Sequence, residues 1–188
     1  KALSHSVCDP FARPPMITLF SEQHVRHAPQ HEFFRGERVP CFESPARARF
    51  VQRQLVARGH VLREPDADSR PVLAQVHTAR YLAFLEGAWA DWLALEPGNA
   101  DHQPFPSVWP VRSLRADVEP ANFTARLGLY SMDNGSPVCA GTWAAAKAGA
   151  DAAVSATRLL HAGEHAVFCA TRPPGHHAGA DFMGGYCF

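Results

Sequence analysis

The sequence predicts a single α/β domain with a mainly parallel central sheet, and three observations support this fold class. Met16–Phe20 and His165–Ala170 are short apolar runs without polar alternation, as expected of strands covered on both faces. Amphipathic segments with recognisable starts and stops lie between them and predict helices. A loop rich in glycine and proline follows the second run, at the strand end where open α/β sheets place their chemistry. The order of elements is that of one domain.

Composition and charge limit the classes of function. Of the 188 residues, 46% are hydrophobic and 19% are charged, which is typical of a soluble globular protein with one core. Eighteen basic residues balance eighteen acidic ones, so the net charge supports neither nucleic acid nor an anionic membrane as a partner. A local basic patch is still compatible with this composition. No stretch approaches the roughly 18 apolar residues that span a bilayer.

The cysteines indicate a reducing compartment. They are five in number, widely spaced and without a Cys-x-x-Cys pair, so we expect reduced, mostly buried thiols in a cytoplasmic protein. Residues 1–8 lack the continuous apolar centre of a signal peptide. Residues 1–15 are interpreted as an upstream extension or a remnant of cloning. The cysteines are Cys8, Cys41, Cys139, Cys169 and Cys187.

The loop after the first strand contains three histidines. Their spacings of three and four residues could bring His24, His27 and His31 together on a helix, which makes a metal site conceivable. Pro29 would break that helix, and His31-Glu32 is not followed by the second histidine of a zinc-protease motif. The pattern therefore favours ordinary loop histidines.

The first helix is predicted from Ser44 to Gly59. Ser44-Pro45 supplies an N-cap followed by proline at the first helical position, and Gly59 is a typical stop. A second short strand is expected at Val61-Leu62. The expected buried stripe of the helix consists of Ala48, Val51 and Leu55.

Three further helices are predicted. One begins at Ala79 and ends before Pro97-Gly98, with its stripe at Leu82, Leu85, Trp89, and Trp92 or Leu93. A short helix is expected within residues 122–132, followed by a turn at residues 133–137. The last helix is rich in alanine, is capped by Thr142 and ends at Gly163. Its sheet-facing residues are expected to be Ala146, Ala150, Ala153, Thr157 and Leu160.

Residues 96–122 are the least regular part of the chain, with five prolines. A loop of this length inside a compact domain is usually either functional or disordered. Its charged residues include Asp117 and Glu119, with Arg112 and Arg115 nearby, and by themselves they are typical of solvated loop charges.

The strongest chemical signal lies in residues 171–188. Two prolines and Gly175 shape the turn after the strand, so that His176 and His177 are delivered just past its carboxyl end. Ordinary loop histidines, metal ligands and acid/base catalysts are all open for such a pair. Metal ligation is disfavoured because no further ligand follows at suitable spacing. The tight loop and the near-neutral pKa of imidazole favour acid/base catalysis.

These residues carry a family resemblance. Arg-Pro-Pro-Gly-His-His-Ala at 172–178, followed by Gly-Gly-Tyr-Cys-Phe at 184–188, resembles the tandem-histidine signature of the zinc-dependent histone deacetylase family. Tyr186 stands where the histone enzymes usually have phenylalanine, which is more similar to the acetylpolyamine amidohydrolase branch. The resemblance runs from residue 16 to 188 in the family's order. Shorter matches are found at residues 42–47, 76–77, 81–82 and 133–142.

The resemblance implies a three-layer arginase/deacetylase-like fold with a mainly parallel sheet, in truncated form. Residues 16–188 would be the N-terminal part of one deacetylase-like domain, with a loop insertion at 96–122. In the family, a zinc ion held by two aspartates and a histidine activates water. Those ligands, and a tyrosine that polarises the carbonyl, would lie beyond Phe188, so Zn²⁺ is expected in the complete protein and no metal is predicted for this chain alone.

The resemblance also implies roles for residues of this chain. His177 would act as general base and then general acid, and His176 would mainly supply electrostatic stabilisation. Gly185 would offer its carbonyl to the substrate amide, and Tyr186 would form a wall of the substrate tunnel.

In the acetylpolyamine branch an insertion such as 96–122 supports dimerisation and narrows the entrance. By that analogy Glu119 or Asp117 could meet the distal ammonium of the substrate through a charge-assisted contact. The nearby Arg112 and Arg115 weaken this interpretation, so solvated loop charges remain an equal alternative.

The expected activity is therefore zinc-dependent removal of acetyl groups from acetylated polyamines or similar small cationic amines. A homodimer through residues 96–122 is expected, without membrane or nucleic-acid partners. A protein acetyl-lysine deacetylase is the alternative within the same class. The alternative of another class is an inactive binding or assembly module, since the 188 residues alone would lack the zinc site and are expected to be inactive.

Overall fold

The structure is a computed structural model that describes residues 15–111, 113 and 117–188. The proposed extension, apart from Pro15, lies outside the described residues, as do Arg112 and Arg115. In chain order the elements are β1 (Ile17–Leu19), a 3-10 helix (Glu22–Arg26), β2 (His31–Phe34), β3 (Glu37–Pro40), α1 (Pro45–Ala57), β4 (Val61–Arg63), α2 (Arg70–Val76), α3 (Ala79–Leu95), a 3-10 helix (Pro97–Asp101), α4 (Phe123–Leu129), α5 (Thr142–His161) and β5 (Val167–Cys169).

The central sheet has the order β4-β1-β5, and both pairings are parallel. The three strands predicted from apolar runs are therefore confirmed, and β1 lies in the middle with its residues buried. The prediction that β5 is buried is only partly correct, because Phe168 is 40% exposed. No helix among the described residues is long and apolar enough to cross a membrane.

The antiparallel hairpin β2-β3 was not predicted. Its two-residue connection, Arg35 and Gly36, has φ of 52° and 86°. Two consecutive positive φ values characterise the tight hairpin turns that match strand twist, and glycine accommodates this conformation readily. Arg-Gly is a weaker turn signal than Asn-Gly, and the hairpin interrupts what otherwise looks like one irregular loop.

The four helices predicted from the sequence, which correspond to α1, α3, α4 and α5, have nearly the expected bounds, but their buried faces were predicted less well. On α1, Ala48 is buried and Leu55 is half-buried, whereas Val51 is 37% exposed. On α3, Leu85 is buried as expected, while Leu82 and Trp89 are only half-buried. The core of α3 is instead formed by Tyr81, Phe84, Leu85 and Ala88, which pack with α4 and Met183.

The predicted sheet-facing side of α5 was wrong. Its buried residues are Thr142, Ala145, Ala152, Ser155 and Ala156, and Leu160 is 47% exposed. Polar residues of α5 turn inward because they bind the loop after β4: Ser155 Oγ accepts the Ala67 N–H at 3.0 Å, and Asp151 accepts the Ser69 N–H at 2.8 Å. Alanine occurs on all sides of this helix, so the faces differ little in hydrophobicity and the sequence does not show which face is buried.

The start of α5 also differs from the prediction. Gly141 is the N-cap residue, and Thr142 is the first helical residue rather than the cap. Thr142 Oγ1 instead accepts the Cys139 N–H at 2.8 Å and contacts His27 Nδ1 at 3.0 Å. A Cβ at Gly141 would lie 2.2 Å from the Arg26 carbonyl oxygen, so only glycine permits this close packing of the loop on the helix.

Candidate active site at the tandem histidines

The tandem-histidine segment, residues 171–188, leaves β5 at the carboxyl edge of the sheet. His176 and His177 are both exposed, and their ring centroids lie 4.3 Å apart. The segment has little regular structure and consists mostly of turns. Its conformation is therefore determined by side chains from other parts of the fold.

Arg172 anchors the start of the segment. Its side chain is 1% exposed and forms a two-pronged ion pair with Glu43, at 3.0 Å from Nε to Oε1 and 2.6 Å from Nη2 to Oε2. Nη1 donates to the carbonyl oxygens of His24 and His27. All of these partners are buried, so the guanidinium joins β5, the first 3-10 helix and the start of α1 in one network.

Asp133 anchors the other end of the segment. Its carboxylate accepts the Gly185 N–H at 3.0 Å and the Gly135 N–H at 2.7 Å, and the Tyr186 N–H donates to the Gly135 carbonyl at 3.0 Å. Gly185 has φ of +56°, and a Cβ there would lie 2.9 Å from His177 Cδ2. The structure thus packs Gly185 against His177, two residues that the sequence placed in one site.

The Tyr186 ring is fixed by a buried carboxylate. Its hydroxyl donates to Glu32 Oε1 at 2.7 Å, and Glu32 Oε2 accepts the Phe42 N–H at 3.0 Å. Burial and then this hydrogen bond raise the pKa of Tyr186 well above its usual value. The tyrosine therefore stays neutral. Tyr186 also has φ of +69°, a costly conformation for a residue with a side chain.

The start of α3 supports the middle of the segment. His77 Nδ1 contacts the Gly179 carbonyl oxygen at 2.9 Å, and the Thr78 N–H donates to the Ala180 carbonyl at 2.8 Å. Because a carbonyl can only accept, Nδ1 of His77 carries a proton. Val76-His77 resembles the family in sequence, but this structural role was not predicted.

Glu119 lies near Tyr130. The Glu119 side chain is exposed, whereas Tyr130 is buried. Burial of the Tyr130 hydroxyl, followed by the nearby charge of Glu119, raises the pKa of Tyr130 to about 12. Arg80 donates to the backbone carbonyl of Asp117 at 3.3 Å. The carboxylates that contact the tandem-histidine segment directly include Asp133 and Glu32, which sequence reasoning did not assign to the site.

The three loop histidines do not converge. His27 contacts Thr142, and Arg38 Nη2 contacts His31 Nδ1 at 2.9 Å. His24 is buried against Phe20. Among the described residues, no group of three His, Cys, Asp or Glu side chains is placed to hold a metal ion. The four described cysteines are all free, and burial, followed by Glu32, raises the pKa of the Cys41 thiol to about 12.

Burial of His27 makes stability depend on pH. Burial and then the Arg172 charge lower its pKa from 6.5 to about 3. Below pH 6.5 the unfolded chain therefore binds more protons at His27 than the folded protein does. As the pH falls from 7 to 5, this difference should lower the free energy of unfolding by about 2 kcal/mol. Urea denaturation at both pH values should show a smaller loss for His27→Gln than for the unchanged protein. His161 is exposed, so His161→Gln should lose as much free energy of unfolding between pH 7 and pH 5 as the unchanged protein does. The same loss in His27→Gln would show that His27 is not the source of the pH dependence.

The site can perform acid/base chemistry. His177 presents an exposed imidazole, held against a backbone segment whose two ends are anchored by charged side chains. An imidazole in this position can accept a proton from water and return it to a leaving group. Two features of the sequence could have indicated the anchoring carboxylates Asp133 and Glu43. Asp133 begins Asp-Asn-Gly, which by itself predicts only a turn. Glu43 lies in residues 42–47, which resemble the family.

Comparison with known proteins identifies the family of the chain. The sequence model described as the histone deacetylase domain matches residues 41–188. The chain is 43% identical over 175 residues to acetylpolyamine amidohydrolase 2 of Pseudomonas aeruginosa, covering 92% of this chain and 49% of that protein. It is 34% identical to the acetylpolyamine amidohydrolase of Mycoplana ramosa, covering 92% of this chain and 50% of that protein.

Solved structures confirm the predicted fold class. The acetylpolyamine aminohydrolase of Burkholderia pseudomallei superposes with a TM-score of 0.83 at 32% identity, covering 92% of this chain and 49% of that chain. The HDA15 HD domain has a TM-score of 0.58 at 17% identity, covering 93% and 40%, and supports the fold alone. The chain spans about half the length of the curated relatives it matches, in agreement with the predicted N-terminal half.

Proposed function

The chain belongs to the histone deacetylase domain family, and we propose that the whole protein is an amidohydrolase that removes acetyl groups from acetylated polyamines. The observation that carries this proposal is the packing of the His177 imidazole against Gly185, within a segment held at both ends by Arg172 and Asp133. The substrate class is taken from the named relatives, of which one is 43% identical.

In this proposal His177 moves the proton of the reaction. Its exposed ring takes a proton from the attacking water and later gives it to the leaving amine. His176, with its ring centroid 4.3 Å away, contributes mainly electrostatic stabilisation of the developing charge. Such a division of roles requires fixed geometry, which the anchored segment supplies.

The binding of the substrate chain is assigned to Gly185 and Tyr186. Asp133 holds the Gly185 N–H at 3.0 Å and thereby orients this peptide unit. The Gly185 carbonyl accepts only a weak hydrogen bond, from Cys187 Sγ at 3.6 Å, and would accept the N–H of the substrate amide. The Tyr186 ring, fixed through Glu32, forms a wall against the methylene groups of the substrate. An aromatic wall suits a substrate whose middle is apolar and whose ends are polar.

Zinc, which the family resemblance implies, supplies Lewis-acid chemistry where it is bound. The described residues do not fit its coordination, because they bring no three donor side chains together. We therefore assign its ligands to sequence outside this chain. In this proposal His177 carries the proton and His176 supplies electrostatic stabilisation, and neither histidine is a zinc ligand.

We assign residues 96–122, which carry Glu119, to dimerisation and to recognition of the distal ammonium. Glu119→Gln in the complete protein should raise KM for a monoacetylated diamine about two- to fivefold, because an exposed ion pair contributes up to about 1 kcal/mol. A neutral acetamide of equal length serves as the control and should show no change. An equal rise for both substrates would contradict the role of Glu119, and a monomer in sedimentation at all concentrations would contradict the dimer.

The rival within the family is deacetylation of acetyl-lysine in proteins, which the name of the matching domain favours. Steady-state assays of the complete, zinc-loaded protein would separate the two. We expect kcat/KM to be higher for acetylated diamines than for acetyl-lysine peptides. The reverse preference would overturn the assigned substrate.

A further inference from the structure

We propose that the protein carries a binding site for a small phosphate-bearing anion in a cleft outside the tandem-histidine segment. The cleft has a volume of about 430 Å³ and is lined by the first 3-10 helix, the β2-β3 hairpin, the second 3-10 helix and the loop before α5. None of its lining residues belongs to residues 171–188. We call it the Arg26–Arg38 cleft, after the two arginines in its wall.

The charge of the cleft is not neutralised by its surroundings. Within the described part of the chain, the side-chain hydrogen bonds of both arginines go to neutral groups: Arg26 Nη1 to Gln23 Oε1 at 3.1 Å, and Arg38 Nη2 to His31 Nδ1 at 2.9 Å. Elsewhere the structure pairs several arginines with carboxylates. These paired arginines include Arg47, Arg49, Arg70, Arg126 and Arg172.

One carboxylate, Asp101, also lines the cleft and offsets part of this charge. The two guanidinium groups outweigh this single carboxylate, so the arginine and aspartate side chains of the wall carry a net positive charge. The balance of charged groups thus selects an anion and disfavours the cationic substrate of the proposed function.

The wall is built before any ligand arrives. The Gln103 side-chain oxygen accepts the N–H groups of Gln30 and His31 at 2.8 and 3.0 Å, which ties the second 3-10 helix to the hairpin. Trp92 Nε1 donates to the Asn99 and His102 carbonyls at 3.0 and 3.1 Å. These contacts fix the backbone of the wall, which reduces the conformational freedom lost on binding, although the exposed side chains of Arg26 and Arg38 must still become ordered.

The chemistry of the wall favours phosphate. A guanidinium presents parallel N–H donors that match phosphate oxygens, and two of them can hold one group from opposite sides. The volume falls in the range of small-molecule sites, roughly 300–1,000 Å³, so it accommodates more than an isolated ion. The indole of Trp89, also in the wall, offers an apolar surface to the organic part of a phosphate ester.

The test is calorimetric titration of the complete protein with inorganic phosphate and pyrophosphate at constant ionic strength. Arg38→Gln should weaken pyrophosphate binding about tenfold or more, because charge-assisted hydrogen bonds are lost, and Arg26→Gln with Arg38→Gln should abolish it. Arg53→Gln on the exposed surface of α1 is the matched control and should bind normally. The melting temperature of Arg38→Gln verifies folding, since this side chain is exposed on a hairpin.

Two results would overturn the proposal: no binding of either probe at millimolar concentration, or equal binding by the unchanged protein and by Arg38→Gln. Binding of pyrophosphate but not phosphate would indicate a phosphate ester or diphosphate as the natural ligand, whereas equal binding would indicate the free ion. The readout is binding and not turnover. The proposed deacetylase turnover can therefore fail without affecting this result. The wall shares residues 100–103 with the segment assigned to dimerisation, so the titration is repeated at protein concentrations that give monomer and dimer, and binding to neither form would overturn the proposal.

Discussion

Replacing His177 with alanine in the complete protein is expected to lower kcat by about 100- to 10,000-fold, the usual contribution of a general acid/base. The ring is exposed and lies against Gly185, so its removal leaves the buried anchors of the segment intact. The free energy of unfolding should therefore change little. Steady-state turnover of an acetylated diamine at saturating zinc, together with urea denaturation, measures both quantities.

The comparison with other histidine variants sharpens this test. His176→Ala should reduce kcat less than His177→Ala does, since its assigned contribution is electrostatic. The exposed His165→Ala, at the start of the strand region, should retain normal turnover. Near-normal kcat in His177→Ala would remove this residue from the mechanism. A loss confined to KM would indicate a substrate-binding role instead.

Replacing Arg172 with methionine is expected to lower the free energy of unfolding by about 3–5 kcal/mol, because it leaves the buried Glu43 carboxylate with only the exposed Arg47 as an ionic partner. The guanidinium is almost completely buried, so solvent screening does not reduce this effect. Arg172→Lys should recover only part of the loss, since an ammonium cannot form both contacts to Glu43. Equilibrium urea denaturation measures the change.

Arg47 provides an internal control for this prediction. It also donates to Glu43 Oε1, at 2.9 Å, but its side chain is 61% exposed. Arg47→Met should therefore cost less than about 1 kcal/mol. Equal losses in the two variants would show that burial does not determine the strength of the Glu43 contacts. A double substitution of Arg172 and Glu43 by apolar residues should cost less than the sum of the single changes.

Much of the fold could be predicted because its signals are local. The run at Met16–Phe20, the Ser44-Pro45 helix start and the apolar run before the histidines each depend on neighbouring residues, and each marked an element correctly. The inward face of α5 could not be predicted in the same way. Ser155 turns inward because the N–H groups of Asp66 and Ala67 need an acceptor, and that requirement comes from a distant loop.

The same distinction applies to the candidate site. His176, His177, Gly185 and Tyr186 lie within one short segment, so the sequence could place them together. Their supports come from Glu32, Glu43 and Asp133, which are separated from the segment by 52 to 154 residues at the contacts they make. A buried carboxylate has no local sequence pattern that identifies its partner. The local pattern and the family resemblance therefore predicted the candidate site residues but not the residues that orient them.

The Arg172 network also has a consequence for the order of folding. Its contacts to Glu43 and to the carbonyls of His24 and His27 close chain segments of 129 to 148 residues. Long segments close late, because the entropy of closure must be offset by contacts that form first. Helices should thus regain their circular dichroism signal soon after dilution from denaturant, whereas the ordered histidine pair should form only in the last cooperative step. Recovery of catalytic turnover would then report completion of the whole fold rather than of a local segment.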